Sequence, residues 1–126
     1  LARMLAPFET EWQAFDPYVS SETIEAAGGR RADDLVALAS RSEVFFVATP
    51  PTPATLESIN RDVIAALPQH AVFVLVSRMA VVEQAPLLER AEAGDLRVAL
   101  DVYDPEPPPP ATRHPPTRQF HPRPHR

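Results

Sequence analysis

Residues 71–76 read AVFVLV and residues 96–103 read LRVALDVY, two apolar runs of strand length on either side of one helical segment. The intervening residues 83–93 carry Pro86 in their first turn and are followed by Gly94, and these two residue types are typical of a helix start and a helix end. A strand, a helix and a second strand form the unit that connects parallel strands. This stretch therefore predicts a parallel sheet covered by helices.

The same alternation extends toward the N-terminus. Residues 44–47, VFFV, form another continuous apolar run, and residues 11–15 read as a strand that ends at the turn signal Asp16-Pro17. Continuous apolar runs are typical of strands buried on both faces of a parallel sheet. Strands near residues 12, 45, 73 and 99 are thus separated by helical segments long enough for right-handed crossovers.

Helix starts are indicated by residues that cap helix N-termini. A capping residue precedes each of four segments with helical patterning; these residues are Ser20 or Ser21, Asp33, Thr52 and Asn60. At the N-terminus, four apolar side chains fall at helical spacing before and around Pro7; they are Leu1, Met4, Leu5 and Phe8.

The composition excludes several kinds of site. The 126 residues contain no cysteine and no lysine, which excludes a thiolate nucleophile, a Cys-ligated metal, a Schiff base and a P-loop lysine. Residues 1–104 carry eight arginines against sixteen acids, so a dedicated nucleic-acid-binding domain is not expected. No apolar run approaches the ~20 residues that span a bilayer, so we expect no membrane segment.

Residues 105–126 differ from the rest, because they hold nine of the 16 prolines and have Phe120 as their one large apolar residue. Such a segment cannot bury enough apolar surface to offset its ordering entropy, so we predict that it is disordered. The sequence leaves two explanations for this segment open. An out-of-frame ending would explain the Pro/Arg/His bias through shared C-rich codons, and a native polyproline-II-like tail could bind an SH3-type groove.

Ligands of open parallel sheets bind outside the carboxyl ends of the strands. In this sequence the residues just past those ends are polar or turn-forming, and the last group runs from Asp101 to Glu106. Asp101 stands inside an apolar run, where an unpaired carboxylate would be costly, so we favour a functional role for it. On residue type alone Asp16 reads as a turn cap before Pro17, and Glu106 as a solvated acid as readily as a functional one.

Four segments carry a resemblance to a known family: AFDPY at 14–18, ATPPTPAT at 48–55, VLVSRMAVVEQAPLL at 74–88 and ALDVYDPEP at 99–107. In order and spacing they resemble successive motifs of the D-isomer-specific 2-hydroxyacid dehydrogenases.

The implied fold class is α/β, an incomplete Rossmann-type parallel sheet with flanking helices that lacks the first strand and the glycine loop. That missing strand would lie between the strands at 11–15 and 43–47. The expected division of the chain is a partial NAD(P)-binding domain over 1–107 and a disordered Pro/Arg/His-rich tail over 108–126.

The resemblance implies NAD as cofactor and no metal. It matches Asp16 to the acid that binds the adenosine ribose and disfavours a 2′-phosphate. Thr49 and Pro50 match the loop along the dinucleotide, and Val76 and Ser77 match residues whose backbone faces the nicotinamide.

Three further positions match residues around the reacting groups. Arg78 matches the arginine that binds the substrate carboxylate, Asp101 the acid that fixes the nicotinamide carboxamide, and Glu106 the carboxylate that pairs with the catalytic histidine. Pro124-His125 has the dipeptide of that histidine, but no apolar strand precedes it, so the histidine is not assigned.

Two positions depart from the family pattern. Met79 stands where the family usually has glycine, and Leu75 where it usually has asparagine, so we expect Met79 to alter the shape of the site beside Arg78.

Two functions of different class follow. The first is a fragment of an NAD-dependent D-2-hydroxyacid dehydrogenase, inactive as this chain alone, whose full-length form is a cytoplasmic homodimer acting on a 2-keto or 2-hydroxy acid, with no nucleic-acid or membrane partner. The alternative is a non-catalytic nucleotide-binding or interaction module.

Overall fold

The computed structural model describes residues 1–102, and these form short helices that alternate with parallel strands. A short N-terminal helix precedes the first strand and runs into a 3-10 turn at Ala6–Phe8, and a second 3-10 turn follows β4 at Met79–Val81. In chain order the elements are α1 (Ala2–Leu5), β1 (Gln13–Ala14), α2 (Ser21–Ala26), β2 (Arg30–Arg31), α3 (Leu35–Ser40), β3 (Val44–Val47), α4 (Arg61–Ala66), β4 (Val72–Leu75), α5 (Gln84–Glu92) and β5 (Arg97–Leu100).

The strands form two parallel sheets. The larger sheet has the order β3-β4-β5, with Phe73 paired with Phe45 on one side and Val98 on the other. The smaller sheet pairs β1 with β2. The predicted α/β class with a parallel sheet is thus confirmed, and the division between the two sheets falls between β1 and β3, where the resemblance implies a further strand.

Strand β2 is the element that the sequence did not indicate. It consists of Arg30 and Arg31, which carry no apolar pattern, and its pairing is provided by main-chain hydrogen bonds from Arg30 N–H to the Trp12 carbonyl and from Ala32 N–H to the Ala14 carbonyl. A two-residue strand that is defined by backbone pairing leaves little signal in side-chain periodicity.

The larger sheet is covered on one face only within the described residues. Phe45 and Phe73 stack with ring centroids 6.0 Å apart, and they share one hydrophobic core with Ile64 of α4 and Leu87 of α5. On the opposite face the side chain of Val44 is half exposed. The prediction that these strands are buried on both faces is therefore wrong for β3, because α3, α4 and α5 all contribute their buried side chains to the same core.

Two predicted helix starts also differ from the structure. Asp34, not Asp33, caps α3, accepting a hydrogen bond from Ala37 N–H at 2.6 Å. After Thr52 the chain forms turns over residues 53–57 instead of a helix. There Leu56 N–H donates to the Thr52 carbonyl at 3.0 Å, as in the first turn of a helix, but Glu57 adopts a positive φ of 49° and the helix does not continue. Ser20 and Asn60 cap their helices as expected.

A partly buried arginine, Arg90, links α5, the end of α4 and the turn before β5. Arg90, near the end of α5, donates from Nη1 to the carbonyls of Ile64 (2.6 Å) and Leu67 (2.9 Å) at the end of α4. Its Nε and Nη2 both bond to Asp95 Oδ2 at 2.5 Å, in the turn before β5. The guanidinium therefore satisfies helix-end carbonyls and neutralises a carboxylate at the same time.

The smaller sheet depends on a close contact between Trp12 and Gly29. A side chain at position 29 would overlap the indole ring, and Gly29 itself is buried. Its neighbour Gly28 has a φ of 87° and takes the left-handed conformation that ends α2.

None of the helices in residues 1–102 is long and apolar enough to cross a membrane.

Because of these contacts, we expect a large loss of stability when the Arg90 side chain is replaced by that of alanine. Arg90→Ala should lower the free energy of unfolding by about 2–3 kcal/mol, because it leaves two helix-end carbonyls and Asp95 without their donor. Arg61→Ala is the matched control, since Arg61 and its partner Glu89 lie 3.6 Å apart with side chains 59% and 65% exposed. That change should cost under ~1 kcal/mol. Urea titrations followed by circular dichroism measure both, and equal losses would contradict the prediction.

Because Trp12 and Gly29 are in contact, we expect substitutions at these two positions to have non-additive effects on stability. Gly29→Ala should destabilise the protein by about 1–3 kcal/mol through overpacking against the indole. In a Trp12→Leu background the same change should cost much less, because the ring atoms that it meets are gone. A double-mutant cycle of thermal unfolding gives the coupling, and two additive losses would show that the contact is not the cause.

Candidate functional site

The carboxyl ends of the three strands of the larger sheet meet at one edge. The last paired residues lie in register, with Leu75 between Val47 and Leu100. Backbone bonds extend the pairing by one residue, from Val76 N–H to the Val47 carbonyl and from Asp101 N–H to the Leu75 carbonyl, each at 3.1 Å. Since the strands are parallel, the chain leaves all three at this edge. The edge therefore gathers six residues predicted for the site: Thr49, Pro50, Val76, Ser77, Arg78 and Asp101.

Arg78 presents a charged group at this edge. Its side chain is exposed, and its Nη1 donates to the neighbouring Ser77 carbonyl at 3.1 Å. Among residues 1–102 no carboxylate lies within ion-pair distance of it. The guanidinium thus keeps most of its donors available for a planar anion such as a carboxylate.

Ser77 has a hydroxyl that is shielded from solvent. Its Oγ is buried and has no hydrogen-bond partner among the described residues. Ser77 follows Val76 and precedes Arg78 in the segment after β4, whose backbone the family resemblance matches to the nicotinamide side.

Asp101 lies just after β5 and is exposed to solvent. The expectation that its carboxylate is enclosed in an apolar strand is therefore wrong, and the cost of burial does not apply to it. The pattern LRVALDVY suggested a longer strand than the one that forms, because β5 ends at Leu100. The carboxylate is left at the edge of the sheet, beside the segment that follows β4.

The ATPPTPAT segment at 48–55 makes a loop after β3 that is held by hydrogen bonds within itself. Thr49 is partly buried, and the Pro50 carbonyl accepts the Thr55 hydroxyl at 2.7 Å. Thr52 N–H donates back to the same hydroxyl oxygen at 2.8 Å. The two threonines therefore hold the loop in shape, a role that was hidden because Thr52-Pro53 also has the pattern of a helix start.

Asp16 organises the loop after β1. Its Oδ1 accepts hydrogen bonds from Tyr18 N–H (2.9 Å) and Val19 N–H (3.2 Å), as a turn-capping aspartate does. Arg31 at the end of β2 donates to the Val19 carbonyl at 2.5 Å and so fixes the same loop. Both bonds to Asp16 use one oxygen, which leaves Oδ2 with acceptor capacity. The turn-cap interpretation is confirmed, and it is compatible with ribose binding.

Arg31 is a contributor that the sequence did not single out, because one arginine in an Arg-Arg pair carries no signal of its own. Together with Arg41, Asp33, Asp34 and Gln13 it lines a polar cleft of about 210 Å³ beside α3. The cleft contains none of the predicted site residues. Arginines and aspartates are both present in its walls, so it has no single sign of charge that would select a ligand.

Glu22 lies in the first turn of α2, after the Asp16 loop. Its own backbone N–H and the Ser20 hydroxyl hold its pKa below the ordinary value of 4.5, with a smaller effect from Arg31. Because the folded-state pKa is depressed, the ionised carboxylate stabilises the start of α2 above that ordinary value. This contribution is lost as the pH falls through the folded-state pKa.

The two substituted positions lie in the interior. Met79 and Leu75 are buried and belong to the hydrophobic core. The expectation that Met79 changes the shape of the site beside Arg78 is therefore wrong in its stated form, because the methionine side chain packs inside. Glu106, His125, the boundary after 107 and the tail over 108–126 lie outside the described residues.

A dinucleotide fits this edge in part. At the edge of the larger sheet the types of residue at Arg78 and Asp101 suit a carboxylate and a carboxamide, and Asp16, in the loop after β1 of the smaller sheet, suits a ribose. A pyrophosphate usually binds at a glycine-rich turn between a strand and a helix. Within residues 1–102 the glycines instead follow α2 and α5, at positions 28, 29 and 94.

Comparisons with known proteins agree with this architecture. Residues 1–125 match the model of the family described as D-isomer specific 2-hydroxyacid dehydrogenase, NAD binding domain. D-3-phosphoglycerate dehydrogenase of Methanocaldococcus jannaschii is 34% identical over 95 residues, which is 75% of this chain and 18% of that protein. The chain spans about a fifth of the length of the first curated relatives it matches.

Solved structures show the same fold. The holo form of Rhodotorula graminis D-mandelate dehydrogenase matches with a TM-score of 0.75 and 28% identity, over 85% of this chain and 32% of that one. The NADPH-dependent glyoxylate/hydroxypyruvate reductase of Sinorhizobium meliloti, in complex with NADP and malonate, has a TM-score of 0.75 and 29% identity, over 87% and 34%.

These matches confirm the Rossmann-like fold, the NAD(P)-dependent oxidoreductase family and the resemblance stated from the four motifs. The chain belongs to the D-isomer-specific 2-hydroxyacid dehydrogenase family, in the NAD-binding domain.

Proposed function

We propose that this chain is part of the NAD(H)-binding region of an enzyme that transfers hydride between NAD(H) and a 2-keto or 2-hydroxy acid. The observation that carries the proposal is the sheet edge at which Thr49, Val76, Arg78 and Asp101 leave parallel strands together. The bound nicotinamide would supply or accept the hydride. The residues of this chain would bind and orient the two reactants.

Arg78 is the residue proposed to hold the substrate carboxylate. Among residues 1–102 its exposed guanidinium makes one hydrogen bond, to the Ser77 carbonyl, and so retains paired donors that bind a carboxylate in a fixed orientation. Holding the acid group in this way would set the position of the adjacent carbonyl carbon, which is where orientation contributes most to the rate.

Asp101 and the backbone of Val76 and Ser77 are proposed to contact the nicotinamide end. The exposed carboxylate of Asp101 can accept from a carboxamide N–H, and the main chain after β4 provides groups of both kinds beside it. Thr49 and Pro50 would line the dinucleotide from the β3 side.

Asp16 is proposed to set the preference for NAD over NADP. Its free Oδ2 could accept hydrogen bonds from ribose hydroxyls, while the negative charge would repel a 2′-phosphate. The Sinorhizobium meliloti relative is NADPH-dependent, so the cofactor preference differs within the set of similar proteins and has to come from local residues.

The full reaction needs groups beyond this edge. We propose that Glu106 pairs with a catalytic histidine, that the enzyme is a cytoplasmic homodimer, and that the domain ends near residue 107. We also propose that this chain alone lacks turnover. The 126 residues contain three glycines, and those described lie away from any strand-to-helix turn that could hold a pyrophosphate. The alternative remains a non-catalytic nucleotide-binding or interaction module.

The chain alone should bind NADH weakly, in the millimolar range, and should not oxidise it with glyoxylate or hydroxypyruvate above background. The reason is the missing pyrophosphate cradle. Titration calorimetry measures the affinity, and absorbance at the NADH band measures turnover. Sub-micromolar binding, or NADH oxidation that scales with protein concentration, would contradict this proposal.

Asp16→Asn should raise the affinity for NADP relative to NAD by about tenfold, or ~1.4 kcal/mol. The amide oxygen preserves the turn cap while the repelling charge is removed. Asp62→Asn, on the exposed first turn of α4, removes the same charge elsewhere and should leave the ratio unchanged. Chemical-shift titrations by NMR detect both ligands at weak affinity. An unchanged ratio in Asp16→Asn would remove Asp16 from the ribose site.

A further inference from the structure

The loop after β3 is rich in proline, which limits how its backbone can hold one shape. Three of the six residues 50–55 are proline, and proline has no backbone N–H to donate. We call residues 48–56 the proline loop. It contains Thr49 and Pro50, which the proposed function assigns to the dinucleotide. A loop with so few backbone donors depends on side chains for its hydrogen bonds.

Both ends of the proline loop are anchored to the segment that carries Arg78. Before the loop, the Val47 carbonyl accepts from Val76 N–H at 3.1 Å. Just past the loop, Glu57 N–H donates to the Ala80 carbonyl at 2.9 Å. Since these two partners flank Arg78 in the chain, the ends of the loop are fixed relative to the arginine, and the middle of the loop needs a bond of its own.

Thr55 supplies the bond across the middle of the proline loop. Its hydroxyl donates to the Pro50 carbonyl at 2.7 Å, and its oxygen accepts from Thr52 N–H at 2.8 Å. The Thr52 hydroxyl lies 3.0 Å from the same oxygen, and the Thr52 carbonyl lies farther from it, at 3.3 Å. A hydroxyl has one hydrogen to donate, and the shorter distance assigns that hydrogen to Pro50.

The bond from Thr55 restrains the backbone next to Thr49. The ring of Pro50 fixes its φ, and the hydrogen bond to its carbonyl restrains its ψ, so both of its backbone angles are constrained. A loop that is ordered before a ligand arrives loses less conformational entropy on binding. The Thr55 hydroxyl therefore prepares the part of the loop that lies nearest to the end of β3.

We propose that Thr55 is a positioning residue for the dinucleotide. It acts through Pro50, because its hydroxyl holds Thr49 and Pro50 in the arrangement that receives NAD(H) without itself touching the cofactor. The inference rests on the proposed function, in which Thr49 and Pro50 line the dinucleotide.

The experiment is an NMR titration of the full chain and its variants with NADH. Thr55→Val keeps the branched shape and removes the hydroxyl, so the loop has to be ordered on binding and the dissociation constant should rise about fivefold. Thr55→Ser restores the hydroxyl and should return the constant to within about twofold of that of the unmodified chain. Thr55→Ala removes the same hydroxyl and takes the place of Thr55→Val if the valine variant does not fold.

Ser42→Ala is the matched control. The Ser42 hydroxyl donates to the Leu38 carbonyl at 2.7 Å, the distance found between Thr55 and Pro50, but Ser42 precedes β3 at the amino end of the sheet. The change should lower stability by an amount similar to that of Thr55→Val and leave the NADH affinity unchanged. Urea titrations of each variant separate the effect on folding from the effect on binding, which a purely structural role would not do.

Hydrogen exchange at Thr52 N–H gives a readout without ligand. This amide donates to the Thr55 oxygen, so its exchange should be faster in Thr55→Val and unchanged in Thr55→Ser. The measurement shows whether the hydroxyl bond has been removed before the NADH affinities are compared.

The outcomes distinguish this inference from the proposed function. An unchanged NADH affinity in Thr55→Val, with faster exchange at Thr52, would overturn the positioning role and leave the proposed function intact. A Thr55→Ser chain that binds as weakly as Thr55→Val, or a Ser42→Ala chain that is weakened equally, would overturn it as well. If NADH shifts none of the amide signals at the sheet edge of the unmodified chain, the proposed function fails and the positioning role fails with it; these signals are those of Thr49, Val76, Ser77 and Asp101.

Discussion

The parallel register of β3, β4 and β5 is the constraint on which the rest of this structure depends. It stacks Phe45, Phe73 and Val98 in one row and Val47, Leu75 and Leu100 in the next, and these two rows are the floor on which the helices pack. The same register requires the chain to leave all three strands in one direction. The core and the candidate site are thus two results of one pairing, and a shift of register would disturb both together.

The sequence predicted those parts of the fold in which burial and periodicity agree. The run VFVL of β4 and the capping residues Ser20 and Asn60 were identified because each has a local physical signature. Strand β2 was missed because main-chain bonds to β1 define it and its two arginines have no apolar pattern. The Thr52-Pro53 start gave one helical turn only, because Glu57 takes a positive φ and its N–H donates to the Ala80 carbonyl instead of continuing the helix.

The candidate site could likewise be predicted only in part. Residues just past strand ends could be named from the sequence, because parallel topology determines where those ends lie. The sequence did not predict whether each of these side chains is buried or exposed. Asp101 is exposed where enclosure was expected, and Met79 is enclosed where crowding of the site was expected. Both depend on where β4 and β5 end, and a strand boundary is set by tertiary contacts that a pattern of residue types does not contain.

The contact between Trp12 and Gly29 has a consequence for how this protein would be observed. The chain has one tryptophan, and it lies beside the smaller sheet, outside the core formed by β3, β4 and β5. Its emission therefore reports the environment of β1 and β2, whereas far-ultraviolet ellipticity is dominated by the helices around the larger sheet. If the two sheets unfold as separate cooperative units, the two spectroscopic signals will change at different denaturant concentrations. Comparison of the two signals would therefore measure whether the two sheets unfold independently.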